Sequence, residues 1–307
     1  MRILITGING FIGRHLARQL LKRNHSLWGL TRKREDSLPW RNPRGRIWYA
    51  DINNQAEMAQ VKCDLDAVIH LAGPTAHDDI AGNPELMYRS HHVGLVNVID
   101  LYHRCGAKRF VFASSGKIYG KTELLPFRED AKLRPDSTVG SAKMMAESLL
   151  SIALPQKERA IARIFNVWGP GSSKQFLIPT IIEQLKAQDA SSTNLLSLGN
   201  LGLARDYVHV DTVVRVLEYL TAVPKLPTDA LNVCSGVPLC AALIASLVAS
   251  VMGRTVNVQS TPGKARNEAQ CEYGSTALLK DLRLFEQPQI EDGLRDLLKL
   301  EGLLPNA

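Results

Sequence analysis

The chain has 307 residues, 45% of them hydrophobic, enough for two lobes around a well-buried core. No apolar run reaches the roughly 20 residues of a membrane-spanning helix, and the five cysteines (Cys63, Cys105, Cys234, Cys240, Cys271) show no paired metal-ligand spacing and are odd in number. A membrane partner, a resident metal and a disulfide framework are thereby disfavoured, and reduced, mostly buried thiols in a cytoplasmic protein are expected, the first ten residues reading as a strand and not as a cleavable signal.

The first candidate strand, residues 2–5, carries the apolar run Ile3-Leu4-Ile5. It is followed by Thr6-Gly7-Ile8-Asn9-Gly10-Phe11-Ile12-Gly13 and then by the helical pattern Leu16-Ala17-Leu20-Leu21. A strand, a glycine turn and a helix start in that order form a cradle for a dinucleotide pyrophosphate. Gly7 and Gly10 turn the backbone tightly and let it approach phosphate oxygens. Gly13 lets the helix lie against the strand, and the helix-terminal N–H groups from Phe11 and Ile12 onward receive the anion. The spacing is Gly-x-x-Gly-x-x-Gly, a variant of the Gly-x-Gly-x-x-Gly fingerprint.

The second candidate strand, residues 26–30, runs through Thr31 into Arg32-Lys33-Arg34. An unphosphorylated adenosine ribose usually finds an acid at this place, and none is present. Between Thr31 and Arg46, six cations (Arg32, Lys33, Arg34, Arg41, Arg44, Arg46) face two acids (Glu35, Asp36), a local +4 within the chain's net +7. Guanidinium pairs with phosphate through two hydrogen bonds, so Arg32 and Lys33 suit a 2′-phosphate and favour NADP(H) over NAD(H). The other reading of this loop is a solvated basic segment. Charge this concentrated argues against a nucleic-acid partner.

Further apolar strands are expected at 47–50, 67–71, 110–114 and 160–165. The third leads into Asp51-Ile52, which would border the adenine, with Asp51 alternatively capping a helix. The fourth leads through Leu71 into Ala72-Gly73, small residues that leave room for the cofactor. This βα alternation predicts an α/β fold, a Rossmann-like doubly wound parallel sheet with ligand at the carboxyl ends of the strands. The second half has more loop punctuation and reads as helices without intervening strands. The expected division is a dinucleotide-binding domain at 1–170, with 204–240 returning to it, and a smaller substrate-binding lobe at 171–203 and 241–307. Helical stretches at 95–102 and 144–152 suit either a homodimer's four-helix bundle or the interior of a monomer.

Three later blocks, Ser114-Ser115-Gly116-Lys117-Ile118-Tyr119-Gly120, Arg163-Ile164-Phe165-Asn166-Val167-Trp168-Gly169-Pro170-Gly171 and Arg205-Asp206-Tyr207-Val208-His209-Val210-Asp211, complete a pattern that starts with the glycine turn and His70-Leu71-Ala72-Gly73. Over nearly its full length the chain resembles the extended short-chain dehydrogenase/reductase superfamily, in its NAD(P)-dependent nucleotide-sugar epimerase, dehydratase and reductase branch. The resemblance implies that Ser115 hydrogen-bonds the reacting oxygen and that Lys143 holds the nicotinamide ribose and lowers the pKa of a nearby tyrosine. It places Asn166 on the substrate's diphosphate side, and Arg205 and Arg266 as clamps on nucleotide or phosphate, although Arg205 could instead pair with Asp206. Gly116-Lys117 occupy the positions where sugar dehydratases carry Asp-Glu, which disfavours dehydration and leaves Lys117 on the substrate side.

One departure dominates. The family's motif is Tyr-x-x-x-Lys, and four residues before Lys143 stands Val139. A positioned acid/base contributes about 10²–10⁴-fold in rate, or roughly 3–5 kcal/mol, and valine has no proton to give. Tyr119, Lys117, His77, His91, His92 or a water held by Ser115 and Lys143 are the alternative donors, and His91 stands where the family usually has asparagine. The expected activity is NADP(H)-dependent reduction of a nucleotide-linked keto sugar; an epimerase, an inactive cofactor-binding protein and a reductase of non-sugar carbonyls are the alternatives.

Overall fold

The computed structural model describes residues 1–32, 45–75, 84–121, 124–189, 193–223, 226–261 and 271–305. Proximity groups the chain into two units, Met1–Gly120 with Glu129–Ile164 and Val213–Val233, and Lys121–Arg128 with Phe165–Thr212 and Cys234–Ala307. Residues 121–128, 165–170, 204–212 and 234–240, expected in the first domain, group with the second, where strand Asn166–Trp168 pairs with strand Ala204–His209 and Pro238–Cys240 pairs with the latter in turn.

The first unit is built on a seven-stranded sheet. Its strands are β1 (Arg2–Thr6), β2 (Ser26–Thr31), β3 (Arg46–Tyr49), β4 (Ala67–His70), β5 (Arg109–Ser115), β6 (Arg159–Ile164) and a last strand, Ala230–Val233. From one edge to the other the order is Ala230–Val233, β6, β5, β4, β1, β2, β3, and every pair is parallel. This is a Rossmann-like doubly wound α/β fold. The six strands expected from sequence form within about two residues of their expected bounds. The seventh, Ala-Leu-Asn-Val, is too short and too polar at Asn232 to read as a strand; pairing with β6 makes it one.

Parallel strands are covered on both faces, so they read as continuous apolar runs instead of alternating ones. Ile3, Leu4 and Ile5 are fully buried, as are Ala67, Val68 and Ile69. The covering helices are α1 (Phe11–Lys22), which turns Leu16, Ala17 and Leu20 inward, α2 (Gln55–Gln60), α3 (Pro84–Arg104) and α4 (Thr138–Ala153). Leu95, Val98, Leu101 and Tyr102 of α3 and Ala146 and Leu150 of α4 join the same core as Leu4, Val68 and Phe110. The chain winds outward from β1 through β3 and returns to β4, so the strand order reverses between β1 and β4. In this architecture the crevice at the carboxyl ends beside that reversal is where ligand binds.

The second unit corrects the expectation of helices alone. Strands Pro238–Cys240, Ala204–His209, Cys271–Glu272 and Asn166–Trp168 form one sheet, and Asn194–Leu198 pairs in parallel with Val256–Ser260. Strands of two to six residues are too short to carry a legible alternation. A separate core unites Ile181, Leu196, Ile244, Val248, Leu294 and Leu297. The five cysteines are thiols, two buried and three half-buried, with the Cys63 and Cys105 sulfurs 2.8 Å apart. Among the described residues no group of three His, Cys, Asp or Glu is arranged to hold a metal ion, and no helix is long and apolar enough to cross a membrane.

Candidate active site

The glycine loop leaves the end of β1 under tight steric control. Gly7 has φ +69°, and a Cβ there would meet the Ala72 backbone nitrogen at 2.9 Å. A Cβ on Gly13 would fall 2.3 Å from the Gly7 carbonyl oxygen, so α1 can lie this close to the loop only without a side chain. Gly10 caps α1 but has no side chain to satisfy the free N–H groups of Phe11, Ile12 and Gly13, and the first turn carries no acid. Asn9 donates from Nδ2 to Thr31 Oγ1 at 3.3 Å, while its buried Oδ1 has no partner among the described residues. A glycine cradle, unsatisfied donors at a helix start and an orphaned buried acceptor fit a dinucleotide.

Thr6 ties the two sides of the crevice together, a role the sequence did not reveal. Its hydroxyl oxygen accepts from the backbone N–H groups of Leu71 and Ala72, at 3.2 and 3.1 Å, and lies 2.7 Å from His70 Nδ1. With two N–H groups already received, the hydroxyl is best used as the donor to Nδ1, which places the imidazole proton on Nε2. That Nε2 is buried without a partner among the described residues, and desolvation pushes His70 down to about 3. Gly73 follows at φ +147°, with His91 Cε1 only 2.4 Å from where its Cβ would stand. His91 is fully buried, its Nε2 donates to the Pro74 carbonyl at 3.3 Å, and its Nδ1 has no partner among the described residues. Desolvation, aided by Lys143 and His70, pushes it down to about 2.

At the end of β5, Ser115 is half-buried and caps a short helical turn, accepting from the Lys117 backbone N–H at 3.2 Å. Ser137 caps α4 by accepting from Gly140 N. A Cβ on Gly140 would lie 2.4 Å from the Lys117 carbonyl oxygen, so α4 is seated directly on the turn that Ser115 opens. One turn further, Lys143 Nζ donates to the Ala113 carbonyl at 2.6 Å and lies 4.8 Å from the centre of the Phe112 ring. Burial pushes its ammonium down to about 7, against the opposing pull of Glu147. Ser115, the Lys117 backbone and Lys143 are thus gathered at the carboxyl end of β5, with Val139 in the first turn of α4.

Other expected residues fall as follows. Arg32 is exposed just past β2, whereas Lys33, His77 and Arg266 lie outside the described residues. Asp51 accepts from Asn53 N in a turn before α2, and it is Asn54, not Asp51, that caps the helix; Ile52 is buried in the core against Gly94. His92 Nε2 stands 3.4 Å from the Ala142 carbonyl. Tyr119 is buried, donates to Asn232 Oδ1 at 2.7 Å and accepts from Arg163 Nη1 at 2.9 Å, and desolvation pushes it up to about 12. Arg163 in turn holds Glu147, which also accepts from Ser114.

In the second unit, Asn166 Nδ2 donates to the Asp206 carbonyl at 2.9 Å. Buried Arg205 faces Glu272 at 3.4 Å and donates to the Ala204 carbonyl at 3.0 Å. The Asp206 carboxylate is occupied by Ser235 N and Oγ, Gly236 N and Gly274 N, at 2.6 to 3.2 Å. Four local donors satisfy it without a counter-charge.

Comparison with known proteins places the chain among relatives of the same fold. GDP-6-deoxy-D-mannose reductase of Pseudomonas aeruginosa is 29% identical over 289 residues, covering 91% of this chain and 90% of the reductase. A UDP-glucose 4-epimerase from Thermotoga maritima, solved with UDP-glucose, superposes with a TM-score of 0.85 at 20% identity, over 98% of this chain and 99% of the epimerase. The structure of RMD from Pseudomonas aeruginosa complexed with NADPH has a TM-score of 0.80 at 24% identity, over 97% of each chain. The sequence pattern of the NAD dependent epimerase/dehydratase family matches residues 3–234. The chain belongs to that family, and with it to the NAD(P)-dependent oxidoreductases and epimerases of the extended short-chain dehydrogenase/reductase type.

Proposed function

We propose that the protein is an NADP(H)-dependent ketoreductase acting on a nucleotide-linked keto sugar. The observation that carries the cofactor preference is Arg32, exposed just beyond the carboxyl end of β2, where the sequence carries Thr31-Arg32 and not the acid that would receive a free ribose 2′-hydroxyl. Lys33 would join it on the 2′-phosphate. When bound in the glycine cradle, the reduced nicotinamide supplies a hydride. Ser115, whose oxygen is fixed by the Lys117 N–H, directs its own proton toward the carbonyl oxygen and polarises it. Leu71, Ala72 and Gly73 line the crevice, Asp51 and Ile52 border the adenine side, and Lys143 holds the ribose. Lys117, Asn166, Arg205 and Arg266 are assigned to the substrate, with the smaller unit as its binding lobe. Val139 takes the place of the usual phenol. The similarity of the reductase over nine-tenths of both chains supports this reading.

A 4-epimerase is the second reading, favoured by the fold shared with the Thermotoga enzyme. Mixing the protein with NADPH and a panel of nucleoside-diphosphate keto sugars separates the two. A reductase consumes NADPH in proportion to product, whereas an epimerase interconverts sugars with no net change in nicotinamide absorbance. Silence in both assays, relieved by Val139→Tyr, would identify a disabled enzyme.

A further inference from the structure

Two cysteines that stand 42 residues apart in the chain meet at the amino end of the seven-stranded sheet, away from the crevice. Cys63 lies in the segment between α2 and β4, Cys105 follows directly on α3, and their sulfurs are 2.8 Å apart. Cys105 is buried in the core that α3 shares with the sheet, and half-buried Cys63 packs against that core from its edge.

The backbone around the pair is held independently of the sulfurs. Leu65 N donates to the Cys105 carbonyl at 3.0 Å. Arg104 donates from Nη1 to the Val61 carbonyl at 3.2 Å and from Nη2 to the Met58 carbonyl at 3.0 Å. These bonds fix the end of α3 against the segment that carries Cys63. The sulfurs need to close by less than about 1 Å to reach the roughly 2.05 Å of a disulfide, a movement within reach of the side chains alone. Among the described residues no His, Asp or Glu joins the two sulfurs in a group that could hold a metal ion, so the chemistry of the pair is that of two thiols.

We infer that Cys63 and Cys105 are a redox-sensitive modification site, which closes to an intramolecular disulfide when a peroxide reaches it and opens again under a thiol reductant. The Cys63 S–H hydrogen bond, with Arg104 alongside, holds the Cys105 thiol down to about 7 against its burial, so the pair carries one thiolate near neutrality. The half-exposed Cys63 sulfur attacks a peroxide oxygen while its own proton passes to Cys105. An S–O bond forms, the O–O bond breaks, and the departing hydroxide takes up the proton that the pair had released to solvent. The Cys105 sulfur then attacks Cys63: the S–S bond forms, the S–O bond breaks, and the oxygen leaves as water with the Cys105 proton. Each sulfur is oxidised by one electron, and the peroxide is reduced to water.

The closed bond ties off a loop of 42 residues that includes β4 and α3. Such a loop stabilises mainly by restricting the unfolded chain. Since both segments already lie in place, oxidation changes stability and leaves the crevice at the other end of the strands as it is, whichever reaction occurs there.

Treating the whole protein with a small molar excess of hydrogen peroxide, then alkylating in denaturant and digesting without reductant, tests this. The expected result is an intact mass lower by two hydrogen atoms, a linked peptide joining Cys63 to Cys105, alkylation of every other cysteine, and full alkylation after dithiothreitol. The oxidised protein should melt about 4–10 °C above the reduced form, and both Cys63→Ser and Cys105→Ala should abolish that difference. Affinity for NADPH, read by fluorescence, should be the same in the two forms. The proposal is overturned if peroxide leaves both thiols unmodified, if Cys63 advances to sulfinic acid while Cys105 is still alkylated, or if the linked peptide joins other cysteines. It is equally overturned if oxidation of the unaltered chain fails to raise Tm or shifts the NADPH affinity.

Discussion

Gly13 shows how little freedom the cofactor cradle has. An added methyl would stand 2.3 Å from the Gly7 oxygen and 2.8 Å from the Ile8 oxygen, both backbone atoms that no rotamer change can move. Gly13→Ala should therefore push α1 off the loop and lower NADPH affinity by at least about tenfold, measured by quenching of nicotinamide fluorescence, with a lower Tm. Arg32, proposed to meet the 2′-phosphate, would act by charge and not by shape. Arg32→Glu should weaken NADPH by about ten- to hundredfold and leave NADH within a few-fold, because only the former carries the 2′-phosphate. Equal losses for both cofactors would show that Arg32 does not read that phosphate. Tyr119→Phe removes a hydroxyl that bridges Arg163 and Asn232, far from any proton-donor duty. Stability should fall by about 1–3 kcal/mol in urea titration while kcat stays within threefold; a kcat collapse would return Tyr119 to the list of donors.

The way helix α4 begins sets where Lys143, proposed for the reaction centre, lies. Ser137 satisfies Gly140 N, and Gly140 lets the first turn rest on the Lys117 carbonyl; together these fix the approach of Lys143 to β5. Removing the cap with Ser137→Ala should cost about 1 kcal/mol of stability. Its effect on kcat should exceed that on NADPH affinity, since the first turn orients Lys143 against Ser115 more than it holds the coenzyme. Steady-state kinetics beside a binding titration would resolve the two, and an unchanged kcat would mean that packing of Gly140 alone sets the helix. The crossing from β3 to β4 matters equally. It brings Leu71–Gly73 opposite the glycine loop, and the Thr6 hydroxyl fastens the two strand ends.

Stability of the larger unit depends on keeping two imidazoles uncharged. His70 and His91 are held at about 3 and about 2, well below the ordinary histidine value, through desolvation. The unfolded chain binds protons at these sites from about pH 6.5 downward while the folded chain does not, so their contribution is intact above about pH 6.5 and is lost as pH falls toward the folded values. Tm should decline from pH 7 to pH 5 in calorimetric scans. His91→Asn, which cannot charge, should flatten that decline; an unaltered slope would assign the acid sensitivity to other groups.

The parallel sheet was legible in the chain because strands covered on both faces must be apolar end to end, and the glycine loop was legible because only glycine satisfies its backbone geometry. Val139 and Lys143 could be counted by position alone. Tertiary structure decided the rest. It committed Tyr119 to Arg163, set Arg205 against Glu272, made a strand of Ala230–Val233, and set His91 under Gly73. Each of these joins residues distant in sequence, and a hydrogen bond or ion pair across such a separation leaves no periodicity for a linear reading to detect.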